Sequence, residues 1–287
     1  MIGHRGFAVA VACVALAGLV VLAAGAAAGE RLKTSQAKTT VGGAGSSNAG
    51  SASARCRKPA SVVSGGWSGP LVAEGTSSKL VAPTKSIRVG RRLWRMEGVN
   101  LGQASSEITI YAYCRKQGLK TRQVKKTLSA SAPPTYTSQQ VTARCPRGMT
   151  LVSGGVGQSQ LDLIPPETFI GLVSRSKRVN RRTWSVKAFN SGDDSGDLIA
   201  QANCANGRAL KQRQVSRSFG ASPEQASLQA RCRRSERVIS GGFEWTGRPA
   251  GQLALITTFR KQGTRSWIAQ AYGVDTTLTI TAYCERK

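Results

Sequence analysis

The chain has 287 residues, with 41 Lys and Arg against 14 Asp and Glu, for a formal charge of +27. Charged residues make up only 19%, so the imbalance reflects scarce acids as much as abundant bases. The one histidine, His4, stands beside an apolar N-terminal run, so the rest of the chain has no imidazole for Ser-His-Asp or Cys-His catalysis, metal ligation or pH switching.

In chain order, Arg5 precedes an uncharged stretch at 7–24, followed by Ala26-Ala27-Ala28 and then Glu30 and Arg31. A basic start, an apolar run and a small-residue cleavage site predict a secretory signal peptide over 1–28, with an uncleaved N-terminal anchor as the alternative. Cys13 falls inside the run and lacks the leucine context of a lipoprotein site. Residues 29–52 are rich in Gly, Ser and Ala and are expected to form a flexible linker.

Three copies of one unit follow. Ala54-Arg55-Cys56 recurs as Ala143-Arg144-Cys145 and Ala230-Arg231-Cys232. At the same spacing after each cysteine comes Ser-Gly-Gly, beginning at Ser64, Ser153 and Ser240. A tryptophan comes later in each unit (Trp94, Trp184, Trp267), and each closes on a cysteine: Cys114, Cys204 and Cys284. Leu119-Lys-Thr-Arg-Gln-Val124 resembles Leu210-Lys-Gln-Arg-Gln-Val215, with a faint first copy at Leu32-Lys33-Thr34. The units are expected at 53–118, 119–209 and 210–287.

Within a unit the apolar period is two. Ile108, Ile110, Ala112 and Cys114 share one face and Thr109, Tyr111 and Tyr113 the other, which faces outward; Trp184, Val186 and Ala188 share a face in the same way. Such alternation predicts half-buried antiparallel strands, so the class is all-β. Three tandem disulfide-stapled sandwiches are expected, with one pseudo-threefold prism-like or propeller-like body as the alternative. Both cysteines of each unit lie in phase with inward residues. The expected bridges are therefore Cys56–Cys114, Cys145–Cys204 and Cys232–Cys284, as suits an oxidising compartment.

Cys145-Pro-Arg-Gly, the Gly-Gly pair, Trp184-Ser-Val-Lys-Ala-Phe-Asn190 and Thr-Ala-Tyr-Cys284 resemble the repeat of uncharacterised secreted proteins of high-GC Gram-positive bacteria. That group's unit runs Cys-Pro-x-Gly, Gly-Gly, Trp-x-Val-x-Ala-x-Asn, Ala-Tyr and Cys. The first and third units depart from it at Cys56-Arg-Lys-Pro and Cys232-Arg-Arg-Ser, where the Pro-x-Gly turn is lost. The resemblance implies export and β structure and implies no activity.

The Gly-Gly pairs lack the ending of a phosphate loop, and a bulge, turn or close backbone approach accounts for them. Asp193, Asp194 and Asp197 share a loop, yet without EF-hand spacing or a terminal Glu, so a hairpin loop and no metal is expected. Glu97, Glu107, Glu167 and Glu244 have no counterparts in the other copies, so no recurring carboxylate pair supports glycoside hydrolysis, and no enzyme and no cofactor are expected. The phase of Trp94, Trp184 and Trp267 puts them in the core. Trp67 and Trp245 lie near the Gly-Gly element and are expected to be partly exposed, as carbohydrate-stacking candidates.

Ahead of each core tryptophan the bases cluster at an expected hairpin tip. These are Arg88, Arg91 and Arg92; then Arg175, Lys177, Arg178, Arg181 and Arg182; then Arg260, Lys261 and Arg265. They are the anion-binding candidates. The function expected is non-enzymatic binding, secreted or at the cell surface, by electrostatic contact with an anionic cell-wall polymer, polysaccharide or lipid head groups. Nucleic acid would bind only non-specifically, and a membrane only through an uncleaved N-terminal segment. A lectin-like carbohydrate-binding module and a structural envelope protein without a discrete ligand are the alternatives.

Overall fold

The computed structural model describes residues 31–43, 49–72, 78–130, 136–159, 171–190, 192–247 and 254–287. The expected signal segment at 1–28 lies outside them. Among the described residues there is no helix, and the protein is all-β, with three antiparallel sheets and three disulfides that fit three stapled units.

The first unit holds β1 (Lys33–Val41), β2 (Ala49–Arg55), β3 (Ser61–Ser68), the two-residue β4 (Leu71–Val72), β5 (Lys79–Val89), β6 (Leu93–Asn100) and β7 (Ser106–Arg115). The second holds β8 (Lys120–Leu128), β9 (Thr137–Arg144), β10 (Thr150–Gln158), β11 (Gly171–Asn180), β12 (Thr183–Asn190) and β13 (Gly196–Ala205). The third holds β14 (Lys211–Phe219), β15 (Glu224–Arg231), β16 (Glu236–Thr246), β17 (Leu255–Gln262), β18 (Ser266–Gly273) and β19 (Thr276–Arg286).

Each unit forms two three-stranded halves. In the first these are β1-β7-β3 and β2-β6-β5, and the other units repeat the plan. Each sheet joins one half of one unit to the other half of its neighbour, through β3–β17, β10–β5 and β11–β16. The expected bridges form, with sequence separations of 58, 59 and 52. Each ties the segment after β2, β9 or β15 to β7, β13 or β19, and so fastens the two halves of a unit across two sheets. Closing loops of this size stabilises by roughly 4 kcal/mol each in a chain-entropy treatment.

The Ser-Gly-Gly elements organise the meeting of the three units. The register of β3, β10 and β16 slips just before each serine, at Val63, Val152 and Ile239. A bulged residue's carbonyl is released from the ladder and needs another donor. Here the donors form a cycle: Ser153 Oγ donates to Val63 O at 2.5 Å, Ser64 Oγ to Ile239 O at 2.5 Å, and Ser240 Oγ to Val152 O at 2.7 Å. Every unit thus donates to one neighbour and accepts from the other.

Glycine follows because there is no room for a Cβ. At Gly65, Gly154 and Gly241 it would overlap the indoles of Trp94, Trp184 and Trp267; at Gly66 and Gly155 it would meet the neighbouring unit's backbone. The three tryptophans are buried, as their phase requires. Trp94 Nε1 donates to Ser86 Oγ at 2.9 Å and Trp184 Nε1 to Ser176 Oγ at 3.1 Å. The matching position in the third unit is Phe259, which packs edge-on to Trp267 at 5.3 Å and leaves that indole N–H without a partner.

Two expectations are corrected. Residues 33–41, assigned to a flexible linker, form β1, which pairs with β7 from Lys33↔Cys114 to Val41↔Ser106. The first unit therefore begins at the faint Leu32-Lys33-Thr34 copy rather than at residue 53, and β2 straddles that boundary. Tyr113, expected on an outward face, is buried, as is its counterpart Tyr283, because the sheet continues into the next unit. Tyr113 Oη accepts from Lys261 N at 2.8 Å and Tyr283 Oη from Arg178 N at 2.7 Å. Burial pushes both phenols well above their usual range.

Candidate anion-binding end

Each basic segment crosses a hairpin turn, at β5–β6, β11–β12 and β17–β18. Each turn is held by the same two backbone bonds. Cys56 N donates to Arg92 O and Val62 N to Arg91 O; Cys145 N to Arg182 O and Leu151 N to Arg181 O; Cys232 N to Arg265 O and Val238 N to Thr264 O. Val62, Leu151 and Val238 each precede a serine of the hydrogen-bonded cycle by two residues. The three tips are therefore held at equivalent places at one end of the molecule, the end that carries the disulfides. Arg115 closes this end between units: it and Arg237 both bind Glu285, each at 2.7 Å. Burial pushes the Glu285 carboxyl up, but the hydrogen bonds and charges of the two guanidinium groups outweigh it and hold the pKa below the usual carboxylate value.

The candidates divide by what they touch. Arg88, Arg178 and Lys261 occupy one equivalent position, and the two arginines are buried, at 7% and 8% exposure. Arg88 donates to Val62 O, Leu119 O and Thr121 Oγ1, and Arg178 to Leu210 O while lying 4.9 Å over the Tyr283 ring. Lys261 lies 6.0 Å from the centre of the Tyr113 ring. Burial lowers the pKa of all three. These cations hold adjacent units together. Gln201 takes the place of the missing phenol beside Arg88, accepting from Arg88 N at 2.8 Å and donating to Arg88 O at 2.9 Å.

Arg175 and Lys177 both pair with Glu244 across the β11–β16 seam, which offsets one of their two charges. Arg182 donates twice to Cys145 O, and Arg260 lies 5.6 Å over the Tyr111 ring. Arg91 and Arg181 are exposed, and Arg92 and Arg265 are half-buried, with no ion pair to any of these four among the described residues. The outward tip bases thus stand at equivalent places in the three units, while the inward bases serve the frame.

Other cations of this end were legible in the sequence but were read only as repeat markers. Arg55, Arg144 and Arg231 recur one residue before each pinned cysteine, and all are exposed. Arg57 and Lys58, Arg147, and Arg233 and Arg234 follow the same cysteines and are also exposed.

Trp67 and Trp245 are not partly exposed: they are 3% and 5% accessible. Trp67 packs on Phe259 and donates to Ile256 O at 3.1 Å, and Trp245 packs on Phe219. Their neighbours come from other strands, which alternation within one strand does not reveal. In the aspartate loop, Asp197 pairs with Lys125 at 2.9 Å and Asp194 Oδ1 accepts from Ser195 N at 2.6 Å. Among the described residues the one group compact enough for a metal is Cys232, Glu236 and Cys284, and its two sulfurs are bonded to each other. Glu97 and Glu107 lie in ion pairs with Lys85 and Lys38, and Glu167 lies outside the described residues. Comparison with protein-family models and with curated proteins finds no match to this chain.

Proposed function

We propose that this is a non-enzymatic binding protein of the cell exterior whose disulfide-bearing end contacts an anionic envelope polymer. The observation that supports the reading is that three tips and three cysteine loops, all basic, recur beside the disulfides of the three units. Each exposed charge alone contributes little, because its field is screened within about 8 Å at physiological salt. Several such points on one polyanion gain through effective concentration. Export through the N-terminal segment is part of the proposal, and three disulfides are consistent with an extracellular location.

The lectin-like alternative loses its two tryptophans, since neither Trp67 nor Trp245 offers a ring face to solvent. The test is retention of the purified protein on isolated anionic wall polymer at rising salt. Elution at a few hundred millimolar salt supports diffuse electrostatic contact. Failure to bind at low salt overturns it and leaves the structural role.

A further inference from the structure

We propose that a cleft in the first unit is a discrete site for a phosphate group, formed by the start of β1 and the loop between β2 and β3. The proposal rests on the anion-binding reading above and gives it a ligand class and a primary site.

The third unit shows why the cleft exists. By strand register Lys33, opposite Cys114, corresponds to Lys211, opposite Cys284. Ser35 therefore corresponds to Arg213. Ala60, two residues before Val62, corresponds to Glu236, two before Val238. In the third unit Arg213 and Glu236 meet at 2.9 Å, and Glu236 also accepts from Arg233 N at 3.0 Å, so a carboxylate occupies this place. In the first unit a serine and an alanine stand there, and a cleft of about 440 Å³ remains.

Its lining includes Lys33, Thr34, Arg57, Lys58 and Lys116, and no acidic residue. Lys33, Arg57 and Lys58 are exposed and form no ion pair among the described residues. The charges of Lys33, Arg57 and Lys58 around one concavity repel one another unless an anion joins them. A phosphate monoester, with close to two negative charges and three acceptor oxygens, meets that need better than a carboxylate. Arg57 can bind it through two parallel N–H bonds, the lysines act as point charges, and the Thr34 hydroxyl is a further donor. The volume is in the range of small-molecule sites, so the sugar or polyol that bears the phosphate is admitted with it.

The experiment is a calorimetric titration of the full chain with inorganic phosphate, and separately with glycerol 3-phosphate, against acetate at matched ionic strength. One saturable site is expected for both phosphates, tighter for the ester if the natural source is a polymer-borne group, and none for acetate. Ala60→Glu restores the carboxylate of the third unit and is expected to weaken phosphate at least about tenfold, as is Arg57→Gln. Ala60→Gln, which adds the bulk without the charge, is expected to lose less. Lys126→Gln, at an exposed position on β8 of the second unit, is expected to change nothing. Unsaturable binding, equal binding of acetate, wild-type affinity in Ala60→Glu, or equal losses in Arg57→Gln and Lys126→Gln would each overturn the site. The wider reading fails separately, by loss of retention on the polymer.

Discussion

Ser64, Ser153 and Ser240 show how much a single hydroxyl can carry. Each satisfies a carbonyl that a bulge has freed on another unit, so replacement by Ala leaves that carbonyl buried without a donor, at a cost of about 1–3 kcal/mol. Urea unfolding of Ser153→Ala should show a lower midpoint with an unchanged slope, and a midpoint equal to wild type would mean the cycle contributes nothing. Gly154→Ala should cost about 1–3 kcal/mol or more through overlap with Trp184.

The acidic residues add a pH dependence. Burial raises the Glu244 carboxyl, but Lys177 and Arg175 overcome that and hold it below its usual value of 4.5, and Glu285 behaves in the same way. A carboxylate depressed in the folded state favours folding above its unfolded pKa, and that contribution is lost as pH falls through the folded value. Stability should therefore decline below about pH 4.5, and Glu244→Gln should lower stability at pH 7 and flatten part of that decline. Chemical denaturation from pH 7 to pH 3 checks both, and an identical profile in the variant would contradict them.

β1 shows, at the scale of the element, where sequence stops being legible. Its sequence, KTSQAKTTV, has one alanine and one valine among polar residues, so composition alone marks it as linker. Its strand character comes from nine aligned partners on β7, a long-range fact that local pattern does not contain. The one local signal was Leu32-Lys33-Thr34, matched by Leu119-Lys120-Thr121 at β8 and by Leu210-Lys211 at β14. By contrast, the inward faces of β7, β12 and β19 and the three disulfides were readable, because a period of two fixes which residues meet in a core. The faces of Tyr113, Trp67 and Trp245 were not, since their cover is supplied by other strands. Deleting residues 33–41 uncovers the outer edge of β7 and is expected to lower the urea midpoint and increase proteolysis of the first unit. A deletion variant as stable and resistant as wild type would restore the linker reading.

Across the whole molecule, shared sheets couple the three units, so thermal unfolding of the oxidised chain should give one cooperative transition; three separable transitions would show that the seams at β3–β17, β10–β5 and β11–β16 carry little energy. The same threefold plan sets the charge. Sequence placed basic residues at three tips, but it did not distinguish the inward Arg88 and Arg178, which bond to the frame, from the outward Arg91 and Arg181, because turn geometry and neighbouring units decide that. In the proposed function the outward tips act together on one polyanion. The most direct measurement is the salt concentration that elutes single, double and triple variants of Arg91→Gln, Arg181→Gln and Arg265→Gln from anionic wall polymer. A modest decrease for one change and near-complete loss of retention for two or three is expected, as multivalent contact requires. The same elution salt across the whole series would contradict the account.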